Sequence, residues 1–351
     1  MRRRGATLRP QRRQRGVALI IALVLVALAT ILATKLSFDG WIERRRTIAI
    51  IATEQAYQFG LGAEALAADV LGQIGQAAPT NTNGAASQQP SAAQTGSNQV
   101  TLAQPWAQPT QPLPITPPKD PEAEPIGTLQ GALDDEQGRF NLNNLAHMIV
   151  QNGQAIEDPY PLAQFQRLLA LVGLEPKWAG IARDWIDADN QPGQPDGAED
   201  DVYTRQNPPY RTGNWPMMSP TELLNLPGFG ADRYRKIAPY VTALPSANVP
   251  INVCTAPSPV LESLADSLSG EYSPAVLANG RKLGCFPDVT TLNNVLGPNA
   301  QQAAGRFKDT SQFFRLTTRV VLGTTEFTLY SLLYRGPGGK VTPLLRSFGT
   351  L

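Results

Sequence analysis

The chain has 351 residues, of which 42% are hydrophobic and 17% charged, with a net charge of +1. Such a chain can build one or two packed domains, but its balanced charge excludes a broad basic surface for nucleic acid. Seven of its 30 basic residues lie within the first sixteen positions, so the remainder is mildly acidic.

Met1 to Gly16 carries seven arginines and no acid, whereas Val17 to Ala33 (VALIIALVLVALATILA) carries no charge and one hydroxyl. About 20 apolar residues at a rise of 1.5 Å cross a hydrocarbon core, and Val17 to Leu36 supplies that length. The leader arginines outweigh Lys35 and Arg44 to Arg46 beyond the span, which predicts a cytoplasmic N-terminus and a single-pass inner-membrane anchor. A secretory signal would end in small residues at a cleavage site. Lys35, Phe38, Asp39 and Trp41 follow this run instead, so the apolar segment is expected to stay in the mature protein. A plain anchor that is never processed remains the alternative.

A glycine directly before the apolar run, with the charge upstream, resembles the processing site of type IV prepilins and type II secretion pseudopilins. The resemblance implies that prepilin peptidase cuts after Gly16 and leaves Val17 as the first residue, N-methylated as in the family. Most such subunits carry glutamate at the fifth mature position, where this chain has Ile21. The K class of minor pseudopilins lacks that acid.

Periodicity predicts that the apolar helix runs on as an amphipathic one through about residue 71, with Ile48, Ile51, Ala52, Ala56, Phe59, Ala63, Leu66 and Val70 on its apolar side. Residues 76–125 are rich in Ala, Gln, Asn, Thr, Ser and Pro and read as a low-complexity flexible insertion. Residues 126–141 read as a strand region, with the Asp-Glu-Gln-Gly turn leading into a hairpin or a helix start. His147, the single histidine, reads as part of a helix.

The elements Gly138-Arg-Phe-Asn-Leu-Asn-Asn-Leu145, Asp184-Trp-Ile-Asp-Ala-Asp189 and Gly197-Ala-Glu-Asp200 with Tyr203 are similar to signatures of K-class pseudopilins. The resemblance extends through strand-like segments at Phe313 to Val321, Glu326 to Tyr334 and Leu344 to Arg346. It implies an α+β fold: a long pilin-like N-terminal helix, an antiparallel sheet, and an inserted all-helical (SAM-like, helix-hairpin-helix-like) domain over residues 142–248. A second small helical region over 249–310 would precede the final strands at 311–351. It also implies a place at the periplasmic tip of the pseudopilus, with the I- and J-class minor pseudopilins and the major pseudopilin fibre as partners.

Asp187, Asp189, Glu199, Asp200 and Asp201 crowd around a turn containing Pro192, Gly193, Pro195 and Gly197. Carboxylates that close repel unless protonated, solvated or bound to a cation. A hard ion such as calcium would relieve them with six to eight oxygen ligands at about 2.3 to 2.6 Å, and Asn214 is a possible further donor. The loop is not an EF-hand, because Pro192 stands at the glycine position and Ala198 at the bidentate glutamate. A solvated acidic loop stays open as the alternative. Calcium binding by K-class proteins, implied by the resemblance, favours a structural site here.

Cys254 and Cys285 are the only cysteines. In an exported chain they are expected to pair, closing a loop of about 30 residues for roughly 2 to 4 kcal/mol; a free buried pair is the alternative. Leu223 to Ile237 reads as a helix-hairpin-helix centred on Gly228. Such a hairpin could offer amides, with Arg233, Arg235 and Lys236, to phosphate, as in a membrane-anchored DNA-binding protein of the competence type. The same hairpin is also a packing unit of helical bundles, and its acidic surroundings oppose phosphate, so no nucleic acid partner is expected. A generic anchored calcium-binding domain is the third reading. The sequence has no cysteine-histidine metal spacing, phosphate loop or Gly-x-Ser-x-Gly elbow, and no enzyme is expected.

Overall fold

A computed structural model describes residues 15–75, 98–117, 120 and 122–349. The chain divides into two units, residues 1–55 and 56–351. The first is carried by helix α1 (Arg15–Gly72). All the valines, leucines and isoleucines from Val17 to Leu36 are exposed, and the helix is long and apolar enough to cross a membrane. The hydroxyls of Thr30 and Thr34 donate to Ala27 O and Thr30 O at 2.9 and 2.8 Å, so both polar groups are satisfied within the helix, as an apolar medium demands. Most of the expected leader, residues 1–14, lies outside the described residues.

In the second unit α1 buries Ala56, Ala63, Ala67 and Leu71, while Leu66 and Val70 are exposed, as are Ile48 and Ile51 of the first unit. Of the expected apolar face, Ala56, Phe59 and Ala63 do pack inward while Ile48, Ile51, Leu66 and Val70 do not, so the inward stripe is mostly small residues, closed by Leu71. Close packing on the sheet is the reason. A Cβ on Gly60 would lie 3.1 Å from Leu329 Cδ2.

The expectation of flexibility across 76–125 is also corrected. Residues 76–97 lie outside the described residues, but 98–117 are built into the fold: Val100, Trp106 and Ile115 are buried. Trp106 packs edge-on against Phe314 at 5.4 Å. Strand β1 (Leu113–Ile115) pairs antiparallel with β2 (Gly127–Asp135). Three apolar anchors suffice to order a segment whose average composition is polar.

After β2 come β3 (Phe140–Asn141), the hairpin β4 (Met148–Gln151) and β5 (Gln154–Glu157), and helices α2 (Pro159–Leu171), α3 (Trp178–Ile186), α4 (Asp200–Tyr203) and α5 (Gly230–Ile237). Then follow β6 (Val241–Thr242), β7 (Ile251–Asn252), α6 (Ser258–Glu262), α7 (Pro274–Gly280), α8 (Val289–Leu296) and β8 (Phe307–Lys308). The chain ends in β9 (Phe313–Leu322), β10 (Thr325–Arg335) and β11 (Val341–Phe348). The antiparallel sheet has the order β1-β2-β9-β10-β11. Because Asp135 lies opposite Phe314, the helical insertion leaves and re-enters the sheet between adjacent strands at one end.

One continuous core runs from Phe140 to Phe307 and takes in Phe165, Trp178, Trp185, Val260, Leu277 and Leu292. The regions expected as 142–248 and 249–310 thus share a single core, and the boundary at 248/249 is corrected. The insertion is also not all-helical: besides the β4–β5 hairpin it holds the short parallel pairs β3–β6 and β7–β8. His147 is not in a helix. It follows a 3-10 turn at Leu142–Ala146, and its Nδ1 lies 2.8 Å from Asp158 Oδ2.

The Gly138 to Leu145 element is the seam of the insertion. A Cβ on Gly138 would meet Thr255 Oγ1 at 2.9 Å. Asn141 donates to Ser246 O, Asn143 donates to Met217 O at 2.9 Å and Leu244 O at 2.8 Å, and Asn144 donates to Val249 O at 2.9 Å. Three asparagines in one short stretch therefore tie together loops from across the insertion. Each amide both donates and accepts, which no apolar residue could replace.

Candidate metal centre

Helix α3 turns its Ala179, Ala182, Trp185 and Ile186 inward, and Asp184 is fully buried among them. Its Oδ2 accepts from Gly193 N at 2.9 Å, which folds the loop after α3 back onto the helix. Two glycines permit this approach: a Cβ on Gly197 would lie 2.2 Å from Asp184 Oδ2, and one on Gly193 would lie 2.9 Å from Oδ1. Trp185 fixes the other side, with its indole donating to Glu222 Oε2 at 3.1 Å and its ring 5.3 Å from Tyr203.

The folded loop brings Asp187 at the end of α3, Asp189 in the loop and Glu199 at the start of α4 together, with one carboxylate oxygen from each lying within 4.8 Å of the others. Burial pushes the Asp187 carboxyl up to about 7, helped by the charges of Asp184, Asp189 and Glu199. Burial likewise raises Glu199 to about 7, helped by the like charge of Asp184. Asp187 Oδ1, both oxygens of Glu199 and Asp184 Oδ1 are buried with no hydrogen-bond donor. Buried acceptors left unpaired are costly, and a cation is the economical partner for several at once.

Asn214 stands beside this group. Its backbone takes the left-handed conformation, φ 43°, fixed by its N–H donating to Trp185 O at 3.0 Å. Its amide donates to Asp189 O at 3.1 Å and Asn190 Oδ1 at 2.9 Å, while its own Oδ1 is buried without a donor. Asp200, expected as a ligand, is not brought into the group. Its Oδ1 accepts from Thr212 N at 3.1 Å and Thr212 Oγ1 at 3.0 Å, and its Oδ2 lies 3.8 Å from Arg211 Nε. Asp184 is the member that sequence reasoning passed over. The signal was available: an acid on the apolar stripe of an amphipathic helix is a buried charge in need of a partner. The unpaired oxygens of Asp187, Glu199 and Asn214, with exposed Asp189 beside them and Asp184 close by, its Oδ1 3.6 Å from Arg183 Nη2, form an all-oxygen donor set that fits a hard divalent cation.

Cys254 and Cys285 are joined in a disulfide across 31 positions. It ties the residues after β7 to the turn before α8, inside the single core. The hairpin around Gly228 is used for packing. Arg233 donates to Gly228 O and Phe229 O at 3.0 Å each and lies 5.2 Å from the Trp178 ring, while Arg235 pairs with Asp232 at 2.7 Å. Arg233 is thus held against the hairpin, while the Arg235–Asp232 pair lies on the surface.

A pilin-like helix on an antiparallel sheet, with a large insertion carrying an acid-rich loop, is the architecture of a pseudopilin, and the apolar start of the helix fits a single-pass membrane anchor. The family model for type II secretion system (T2SS) protein K matches residues 138–246. Type II secretion system protein K of Pectobacterium carotovorum subsp. carotovorum is 30% identical over 347 residues, covering 96% of this chain and 97% of the relative. The Pseudomonas aeruginosa protein of the same name is 31% identical, covering 97% and 94%. Among solved structures, the fold matches a chain of the GspK-GspI-GspJ complex from enterotoxigenic Escherichia coli with a TM-score of 0.69 at 24% identity, covering 87% of this chain and 100% of that one. The chain belongs to the type II secretion system protein K family, so the minor-pseudopilin role expected from its sequence applies to it.

Proposed function

We propose that the protein is cut after Gly16, anchored by Val17 to Leu36 with its bulk in the periplasm, and placed at the tip of the pseudopilus beside I- and J-class minor pseudopilins. In this reading it is a structural part that starts or limits the fibre, not a catalyst. The observation that carries the tip position is Ile21. A fifth-position acid serves to meet the N-terminal ammonium of a more distal subunit, and a subunit at the tip has no such neighbour. The inserted helical region is consistent with this, since a repeating position would have to accommodate its bulk at every subunit. The solved neighbour is itself a complex of GspK with GspI and GspJ.

Calcium belongs to the same proposal. Asp187, Asp189 and Glu199 would hold the ion, with Asn214 and Asp184 supplying oxygen beside them, and the ion would neutralise a charge cluster that otherwise strains the fold. Its role is structural. The assembly is tested by co-expressing the soluble portion with the I- and J-class subunits of the same system. A ternary complex on size exclusion is expected, and a chain that elutes alone at micromolar concentration contradicts the tip assignment.

A further inference from the structure

Just beyond the apolar run, α1 carries a second pattern that the pseudopilin reading leaves unused. At about 100° per residue, Phe38, Trp41 and Arg45 fall on one face, with Arg44 at its edge, while Asp39, Glu43 and Arg46 fall on the opposite face. Arg45 stands on the face that has no acid, and Arg44 borders it. That face is organised: the Phe38 and Trp41 rings are stacked 6.2 Å apart, and the Arg45 guanidinium sits 4.1 Å from the Trp41 ring centroid. Phe38 and Trp41 are 57% and 50% exposed.

We propose that this aromatic and arginine face binds anionic phospholipid headgroups on the far side of the membrane from the leader. The inference rests on the reading of Val17 to Leu36 as a membrane span. At 1.5 Å per residue, Trp41 lies roughly 7.5 Å past Leu36 and Arg44 and Arg45 roughly 12 to 14 Å past it. The polar layer of a bilayer is about 5 to 8 Å deep on each side. Trp41 therefore falls at headgroup level, where tryptophan is favoured, and the arginines lie close enough to reach back to phosphate. Once a leader with seven arginines is removed, Lys35 and Arg44 to Arg46 are the cations that flank the span. They would fix its depth and hold the subunit until assembly extracts it.

The test uses the processed protein beginning at Val17, in nanodiscs of phosphatidylcholine with or without phosphatidylglycerol, and native mass spectrometry to read the lipid retained after transfer to detergent. Each arginine near an anionic surface favours binding by roughly fivefold, so phosphatidylglycerol should be retained at least about fivefold over phosphatidylcholine. The double variant R44Q/R45Q should fall to parity, R235Q should behave as wild type, and inorganic phosphate should not displace the lipid. Equal retention of both lipids, an unchanged double variant, or displacement by phosphate alone would overturn the inference. Alkaline extraction separates the two readings. Release of the chain at high pH overturns the span and this inference together, whereas a chain that stays inserted without lipid preference overturns this inference alone.

Discussion

The carboxylate of Glu64, on the inner face of α1, is held by the guanidinium of Arg346 on β11, with Nε at 2.9 Å and Nη2 at 2.8 Å. Ser331 on β10 donates to the same carboxylate at 2.7 Å. Two strands thereby grip one buried acid on the helix. From β10 as well, Arg335 donates to Leu71 O at 2.9 Å and also to Ile74 O, satisfying carbonyls that the helix end leaves open. The small-residue stripe sets the distance between helix and sheet, and these two arginines set the position along it.

Replacing Arg346 with alanine leaves Glu64 buried with Ser331 alone. Because Arg346 is 41% exposed, the cost is discounted from that of a fully buried pair to about 2 kcal/mol. Burial alone would raise the Glu64 carboxyl, but hydrogen bonds from Arg346 and Ser331 outweigh it and hold the group below its ordinary 4.5. A lowered folded value means the contribution is present above the unfolded value and lost as pH falls through the folded one. Urea denaturation should find the gap between wild type and E64Q constant above about pH 5 and closing below it. A gap independent of pH would show that Glu64 acts through packing.

Calcium should raise the melting temperature of the purified protein, and chelator should reverse the rise. At a hundredfold excess over Kd the gain is about 2.7 kcal/mol, several degrees for a domain of this size. Magnesium should do less, because it gives up its waters reluctantly. The variants D187A and E199A should lose most of the shift, whereas D200A and the remote D232A should keep it. In the metal-free protein Asp187 and Glu199 are raised to about 7. Their contribution is then fully present below the unfolded carboxylate range and lost as pH rises through 7, so the calcium-induced shift should be larger at pH 8 than at pH 5. Identical melting curves with and without calcium would return the loop to a solvated acidic turn.

Gly197→Ala should do what loss of calcium does and more. The added Cβ would lie 2.2 Å from Asp184 Oδ2 and 2.4 Å from Gly193 O, so the loop must open. We expect calcium binding measured by calorimetry to fall at least tenfold, with the α-helical circular dichroism retained. Unaltered affinity would mean that the loop does not position the ligands.

The disulfide between Cys254 and Cys285 closes a loop of 31 positions, for which about 2 to 4 kcal/mol of stability is expected. Periplasmically exported protein should give the joined peptide under non-reducing mapping, and C254A/C285A should lower the unfolding free energy from urea denaturation by that amount. Two alkylatable thiols in folded, unreduced protein would contradict the structure.

Much of this was legible in the residues. The long apolar helix was visible because an uncharged run of that length keeps helical periodicity and composition throughout, and β9 and β10 because β-branched and aromatic residues fill them. The Asp187, Asp189 and Glu199 group was visible as charge density. What escaped depended on distance in three dimensions. Part of the inner face of α1 was misread: Ala56 and Ala63 were placed correctly, but Leu66 and Val70 carry more apolar weight than Gly60 and Ala67, which face inward in their place. Asp184 was hidden by its apolar neighbours. Asp200 was assigned by proximity in sequence, although Thr212 satisfies it. The order of residues 98–117 rests on Val100, Trp106 and Ile115, three residues that an average over the segment dilutes.

Removal of the leader after Gly16 fixes the mass of the mature N-terminus, which mass spectrometry reads directly. Protein extracted from membranes of a host with prepilin peptidase should begin at Val17, and a Gly16 variant with a bulky side chain should keep its leader. A mature chain that still begins at Met1 in the presence of the peptidase would contradict the account.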